Sequence, residues 1–460
     1  MTARRIVCLA SLAVAVVAFW SLRTLYWSQV HEAPFSDLLD YVLVGRNIHT
    51  NFFWGRSADY PTYYAPITPA FIAASLELGG ERHFELAFRL FVQTVAFAGA
   101  LLLGREIAKT TRQPLLGIAL VLVVAFCRPS IFWSYKLGTE AVSEALLLLT
   151  AALALCAVRT GRWLPALLSG VVGLALALNR PQFFPAVFLM GFVLAASHAL
   201  SAGWRSQDYR TIIARFSRQF ACFGIGTLLV WTPWVARNYA VTHDLVLIGT
   251  SSAESFLWES GGASIGKTPY QSLTLSDGSV ITEFGLPALR RRVAHLRTDA
   301  ERNKEMQLVA NAWLRENWRE MPALIARRLA VFATTTGASG LTTVPRERLF
   351  VPTSRLPAGL AHALNSVLLD KSAATSALAI VGVIMAVLVL RGAGLILAIL
   401  AVAPVLMASL VISIERAVES LISLQLWLAL FAVVSLVTVS LKAMRPKIRP
   451  PHAESTQKAS

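Results

Sequence analysis

The strongest constraint on this chain is a series of apolar runs close to the roughly 20 residues that cross hydrocarbon as a helix. The first, Ile6–Leu22, follows Arg4 and Arg5 and so resembles a signal peptide. No small-x-small cleavage site follows it, and Arg23 and Trp27 read as interfacial anchors, so an uncleaved first span is expected. Nine more runs lie at 84–104, 113–131, 139–158, 163–179, 182–198, 217–236, 373–391, 393–413 and 418–441. Composition agrees, because 55% of the 460 residues are apolar and only 15% are charged, a ratio that soluble domains rarely reach. The expected fold class is all-α membrane: a polytopic helical bundle of about ten transmembrane helices. Interfacial helices are expected in the first external loop, together with a large external loop domain.

The polar stretches divide the chain. Residues 1–236 read as a transmembrane core holding a first external loop at 28–83; 237–372 form a large loop with amphipathic helices. Residues 373–441 read as C-terminal transmembrane helices and 442–460 as a basic tail. Arginine and lysine concentrate on the side of the termini, at Arg105, Lys109, Arg112, Arg205, Arg210, Arg215 and Arg218. By the positive-inside bias the termini are cytoplasmic, and both loops face the periplasm if the membrane is a bacterial inner membrane. The net charge of +16 is then mostly topology. A nucleic-acid partner would want a basic soluble face with interleaved aromatics, and none is present.

Several chemistries lack their residues. Cys8, Cys127, Cys156 and Cys222 fall in or at the ends of spans, so no disulfide framework or cysteine zinc site is proposed. His31, His243 and His295 are too scattered for a metal site. No cofactor is implied, although dependence on a divalent metal stays open. Phosphate-loop, zinc-protease and dinucleotide fingerprints are missing, as is an internal repeat.

The first loop carries acids and a dense aromatic set: Asp37, Asp40, Tyr41, Phe52, Phe53, Trp54, Tyr60, Tyr63 and Tyr64. Pro34-Phe35-Ser36 reads as a helix start, with Ser36 capping and Asp37 in the first turn. In the large loop Met306, Val309, Ala310, Trp313, Leu314 and Asn317 follow helical spacing. Leu324–Thr336 is apolar but too short to span, and it is expected to lie along the interface.

Taken in order, the motifs resemble the GT-C superfamily, integral membrane glycosyltransferases that use a polyprenyl-phosphate-linked sugar. The likeness is to the branches similar to dolichyl-phosphate-mannose protein mannosyltransferases and to lipopolysaccharide-core sugar transferases. It is carried by Ser36-Asp37-x-x-x-Tyr41, by Tyr64-Ala65-Pro66-Ile67-Thr68-Pro69-Ala70-Phe71, by Thr139-Glu140-Ala141 and by Gly173-Leu174-Ala175 leading to Asn179-Arg180-Pro181. Trp231-Thr232-Pro233-Trp234-Val235-Ala236-Arg237-Asn238-Tyr239 is the most specific match, and Asn311-Ala312-Trp313 and Glu415-Arg416 complete the series. Ala65 stands where aminoarabinose and protein O-mannosyl transferases tend to carry a lysine, and the two prolines are split.

The resemblance implies transfer of a sugar from a polyprenyl-phosphate donor to a lipid, glycan or protein acceptor at the bilayer surface. Such a site must align the reactants, deprotonate the acceptor hydroxyl and stabilise the departing phosphate. Asp37 is the expected base; its alternative role is to complement a helix N-terminus, worth about 0.3–1 kcal/mol. Asp40 is the second candidate. Glu140, at an external span end, is a third carboxylate candidate or a helix-start residue. Glu144 lies one turn deeper and should face the protein interior, paired with Lys136 or Arg128. Arg237, Arg180, Lys136 and Arg416 are candidate phosphate ligands, each with headgroup contact as its alternative. Tyr41, Tyr64, Asn238 and Glu144 are expected to line the substrate pocket.

Two other readings remain open at this point. An O-antigen ligase or polymerase-like enzyme also joins many spans to a large periplasmic loop, and a non-enzymatic carrier of lipid-linked sugars is the second. Sidedness is testable directly. Cysteines introduced at positions 60, 270 and 300 should react with a membrane-impermeant thiol reagent in intact spheroplasts. Those at 110 and 208 should react only after the membrane is opened, and the reverse pattern would put the acidic loop in the cytosol.

Overall fold

The structure is a computed structural model that describes residues 3–30, 33–34, 37–200, 208–251, 254, 273–274, 280–281, 286–334, 349–411 and 419–444. Among the described residues each apolar run falls mainly on helix, the run at 113–131 being split at Cys127. The spans are α1 (Ala3–Trp27), α3 (Ile67–Thr111), α4 (Pro114–Phe126), α6 (Thr139–Thr160), α7 (Trp163–Asn179), α8 (Phe184–Leu200, entered through a short 3-10 turn), α9 (Tyr209–Thr242), α14 (Ala373–Leu390), α15 (Gly392–Val411) and α16 (Ile422–Met444). Seven of these regions are long and apolar enough to cross a membrane, and α4, α7 and α16 contribute three shorter apolar segments. The protein is an all-α membrane protein.

The first loop contributes α2 (Asp37–Asn51), and the six residues Arg128–Trp133 form α5 between α4 and α6. The large loop contributes a two-residue antiparallel pairing of β1 (Leu273–Thr274) with β2 (Val280–Ile281). It also contributes α10 (Leu286–Val293), α11 (Asp299–Asn317), α12 (Met321–Thr334) and α13 (Ala358–Val367). The expected amphipathic helix is α11: Met306, Val309, Ala310 and Trp313 are buried and form a small core with Val293. The expected interfacial segment is α12, which packs on α14 and α15 and points Arg328 Nη1 at the Ser409 carbonyl, 3.0 Å away. The cap expected of Ser36 and the phosphate role expected of Arg416 fall outside the described residues.

The centre is α6. It packs against α3, α7 and α8, and it buries more of its apolar window than any other of the seven. Small residues let its neighbours approach to backbone contact. A Cβ at Gly170 of α7 would strike the Phe223 carbonyl of α9, and one at Gly226 of α9 would strike the Leu167 carbonyl of α7. Gly104 of α3 and Gly117 of α4 meet in the same way. Without a hydrophobic drive between helices in lipid, such close packing is what brings them together. One glycine serves a different purpose. Gly80 breaks α3 with φ 59°, ψ 178°, a conformation that suits glycine, and so separates a loop-end stretch from the spanning part.

Two expectations change here. Arg23 is not an interfacial anchor: α1 runs on to Trp27, and the Arg23 side chain is fully buried. The cause lies in α4, which ends at Phe126 because Cys127 turns extended (φ −66°, ψ 112°) ahead of Pro129. The last carbonyls of α4 lose their helical partners. Arg23 supplies donors, with Nη2 3.2 Å from the Val124 carbonyl and Nη1 3.4 Å from that of Ala125. Its Nε donates to Gln93 Oε1 at 2.7 Å and its Nη2 to Ser130 Oγ at 2.6 Å. Trp27 is likewise buried, its indole donating to Ser134 Oγ at 2.8 Å.

The second change concerns Glu144. It faces the interior as expected, but not towards Lys136 or Arg128. Its Oε2 accepts from Ser130 Oγ at 2.7 Å, so the Ser130 hydroxyl links it to Arg23. Arg128 instead bonds the Asn365 carbonyl at 2.9 Å and approaches Asp370 at 3.6 Å.

Removing one member of such a buried charged network leaves the other uncompensated, which typically costs about 3–5 kcal/mol. Arg23→Met should therefore destabilise the protein by about 3–5 kcal/mol in detergent unfolding titrations, and Arg23→Met with Glu144→Leu should recover part of the loss. A single variant as stable as wild type would show that the bundle does not depend on this network.

Candidate active site

The candidate site lies where the two loops meet. Asp37 opens α2, and the next turn carries Asp40 and Tyr41. Leu38, Val42, Val44 and Ile48 bury the inner face of α2, while Gly45 lets it press on Ile72 of α3. That packing fixes which way the two acids face. The Asp40 carboxylate accepts the Tyr64 hydroxyl at 2.5 Å and pairs with Arg56 Nε at 3.1 Å. Asp37 lies near Tyr63, where its charge disfavours the ionised phenol.

The aromatic rings form a file. Tyr41 and Tyr64 meet edge to face at 5.2 Å between centroids, Tyr64 and Tyr63 at 4.8 Å, and Tyr63 and Tyr60 at 5.9 Å. Burial pushes the Tyr64 phenol well above the ordinary tyrosine range, and its bond to Asp40 adds to the effect. Burial likewise raises Tyr63, helped by the charge of Glu254. Both phenols stay protonated across the physiological range and serve as hydrogen-bond donors.

The large loop closes on this file from above. The Tyr63 hydroxyl donates to Glu254 Oε2 at 2.8 Å, and Arg290 reaches Glu254 Oε1 through Nε at 2.9 Å and Nη2 at 2.7 Å. Arg302 of α11 stacks 4.6 Å over the Tyr60 ring. Arg237, near the end of α9, sits 5.4 Å over the Trp234 ring and donates through Nη1 to the Pro61 carbonyl at 2.8 Å and to Asn238 Oδ1 at 3.0 Å. Nη1 is its one hydrogen-bonded nitrogen among the described residues. Asn238 is buried and gives its amide to the Val246 carbonyl at 3.0 Å, so it shapes the start of the large loop from within.

Glu140 and Arg180 form a second group. They make an ion pair at 2.6 Å, both buried, and Arg180 Nε also donates to Thr139 Oγ1 at 3.1 Å. Asn179 joins α7 to the start of α6 through the Thr139 carbonyl at 2.9 Å and Ser143 Oγ at 2.8 Å, and it accepts from Thr68 at the start of α3 at 2.7 Å. This group adjoins α2, because Leu38 packs against Gly138, just ahead of Glu140.

Asp37, Asp40, Tyr41 and Tyr64 thus gather along the tyrosine file, Arg237 holds the same loop through the Pro61 carbonyl, and the Glu140–Arg180 pair adjoins α2. Glu144 belongs to the Arg23 network. Lys136 is buried in the turn before α6, its Nζ 5.8 Å from the Phe132 ring centre and 5.7 Å from that of Tyr135. Sequence reasoning missed the partners from the large loop, Glu254, Arg290 and Asp299. Only Asp299 had a local signal, being the first residue of a helix capped by Thr298 and Glu301.

No family model matches the sequence, and no curated protein matches it. Solved structures do. One is an archaeal oligosaccharyltransferase, AglB from Archaeoglobus fulgidus, in complex with an inhibitory peptide and a dolichol-phosphate. It is 14% identical with a TM-score of 0.47, over 97% of this chain and 53% of that one. A second is the Archaeoglobus fulgidus oligosaccharyltransferase tethered to an acceptor peptide containing the NVT sequon. It is 14% identical with a TM-score of 0.48, over 95% of this chain and 50% of that one. The apo form of the same enzyme gives 13% identity and a TM-score of 0.44, over 95% of this chain and 51% of that one. The chain spans about half the length of these structures.

The buried Glu140–Arg180 pair should be strongly coupled. In a double-mutant cycle with Glu140→Gln and Arg180→Gln, unfolding free energies should show a coupling of about 0.5–3 kcal/mol. Strict additivity of the two substitutions would mean that the contact contributes nothing to holding α6 against α7.

Proposed function

We propose that this chain is a membrane glycosyltransferase of the GT-C kind, which moves a sugar from a polyprenyl-phosphate donor to a lipid, glycan or protein acceptor. The proposed setting is a bacterial inner membrane with the site facing the periplasm. One observation carries the reading: the acid-bearing start of α2, the Tyr63-Tyr64 pair and the α9 arginine that opens the large loop converge at one end of the bundle. The ordered motifs of the sequence support it independently.

In this reading Asp37 takes the proton from the acceptor hydroxyl as its oxygen bonds to the sugar's anomeric carbon. The bond from that carbon to the donor phosphate breaks, and the polyprenyl phosphate leaves with the electron pair. A polyprenyl phosphate keeps its chain in hydrocarbon, so its anionic head lies at the depth of span ends, where Arg237 sits. Among the described residues the guanidinium has donors left on Nε and Nη2, and two parallel donors suit a phosphate. Asp40, already engaged by Tyr64 and Arg56, holds the tyrosine file rather than the acceptor. Glu140 neutralises Arg180, which makes Arg180 a weaker phosphate ligand than Arg237.

The test is turnover by purified protein in lipid nanodiscs with a panel of labelled polyprenyl-phosphate sugars. Asp37→Asn keeps the size of the side chain and its hydrogen-bond acceptor but cannot take the proton. It should lower kcat by about 10²–10⁴-fold with expression and donor binding kept. A variant that retains more than half of wild-type turnover would leave Asp37 as a helix-start residue only.

A further inference from the structure

Four residues of the first loop, Pro61 to Tyr64, are gripped along their whole length, and the grip centres on an acid far away in sequence. Asp299 is buried, and its Oδ2 accepts three hydrogen bonds: from the Thr62 amide at 2.8 Å, Thr62 Oγ1 at 2.9 Å and Thr250 Oγ1 at 3.0 Å. The Thr250 amide in turn donates to the Thr62 carbonyl at 3.1 Å. Every polar group of Thr62 is therefore satisfied by the large loop. On one side of Thr62, the Pro61 carbonyl holds Arg237; on the other, Tyr63 and Tyr64 reach Glu254 and Asp40.

A buried carboxylate is costly unless it is hydrogen-bonded, and this one spends its three bonds on two threonines. Nothing in the packing of α11 requires that, since the core of α11 is formed by Met306, Val309 and Trp313 on later turns. What the bonds do achieve is to set the rotation of the Pro61–Thr62 peptide. That rotation decides where the Pro61 carbonyl holds the Arg237 guanidinium and from which side the Tyr64 hydroxyl meets Asp40.

We infer that Asp299 is a positioning residue of the site: it fixes the Pro61–Tyr64 strap and, through it, the placement of Arg237 and of the Tyr64–Asp40 pair. The inference rests on the proposed transfer reaction for its catalytic consequence, but the strap itself is measurable without any reaction. Asp299→Ala removes all three bonds. Asp299→Asn keeps one carbonyl oxygen that accepts from Thr62. Thr250→Val removes a single donor and guards against a variant that fails to fold.

The experiment is hydrogen exchange by mass spectrometry on the peptide covering residues 58–66 in nanodiscs, run beside kcat and KM for sugar transfer. Exchange in that peptide should quicken by about tenfold or more in Asp299→Ala, as expected when local protection is lost. It should quicken less in Thr250→Val and stay close to wild type in Asp299→Asn. Turnover should follow the same order, with Asp299→Ala down about 10²-fold in kcat, the scale of a misplaced catalytic group. Unchanged exchange in both Asp299→Ala and Thr250→Val overturns the strap. Faster exchange with unchanged kcat overturns the positioning role. A wild-type protein that transfers no sugar removes the proposed reaction, and the exchange arm still decides whether Asp299 holds the strap.

Discussion

Backbone groups freed inside a membrane bundle have no water to turn to, and the break between α4 and α5 frees several at once. The architecture follows from how they are satisfied. Arg23 of α1 donates to the carbonyls of Val124 and Ala125. The end of the large loop takes the next ones: the Leu369 amide donates to the Phe126 carbonyl at 2.9 Å, and the Arg128 amide donates to the Leu369 carbonyl at 2.8 Å. One interruption in a helix thereby ties the first span, the central core and the last part of the large loop together. Glu144 belongs to the same solution, because Ser130 passes the charge of Arg23 on to it.

The site end of the molecule follows a similar logic. Its cations and acids are mostly committed to one another: Glu140 to Arg180, Asp40 to Arg56, Glu254 to Arg290 and Lys304 to Asp244. Paired charges cost less to bury, and these pairs brace each segment from within; the two loops are joined instead through Thr62 with Asp299 and Tyr63 with Glu254. Arg237 differs in spending its hydrogen bonds on a backbone carbonyl and an amide oxygen, both neutral. Among the described residues, Asp299 is the acid whose charge acts on it.

The spans were legible in the sequence because hydrocarbon thickness leaves a long, unambiguous apolar signature. The start of α2 at Asp37 and the buried stripe of α11 were legible for a similar reason, since both are local patterns. Arg23 was not. A charge after an apolar run reads as the end of a span, and what draws it inward is a helix break a hundred residues later. Glu144 was read as inward-facing correctly and given the wrong partners, for the same reason. Of the candidate site, Asp37, Asp40, Tyr64 and Arg237 stood out through ordered motifs, and their role there is the proposal made above. Asp299 was hidden because an acid in the first turn of a helix already has a sufficient local explanation, and its threonine partners lie in other segments. Glu140 and Arg180 were each visible, but their pairing depends on how α6 and α7 end, which no local pattern states.

The crossing of α7 and α9 has a mechanical consequence. Gly170 and Gly226 place backbone against backbone there, and each glycine faces a carbonyl of the other helix. An α9 seated in that notch cannot slide along its axis without driving a side chain into the opposing backbone. Arg237 rides about 16 Å beyond the notch at 1.5 Å per residue. Pro233 lies between the two, where a missing amide softens the helix. At that length of lever, a tilt of about 4° would carry Arg237 by about 1 Å, so the site end is more sensitive to the angle of α9 than the spans are.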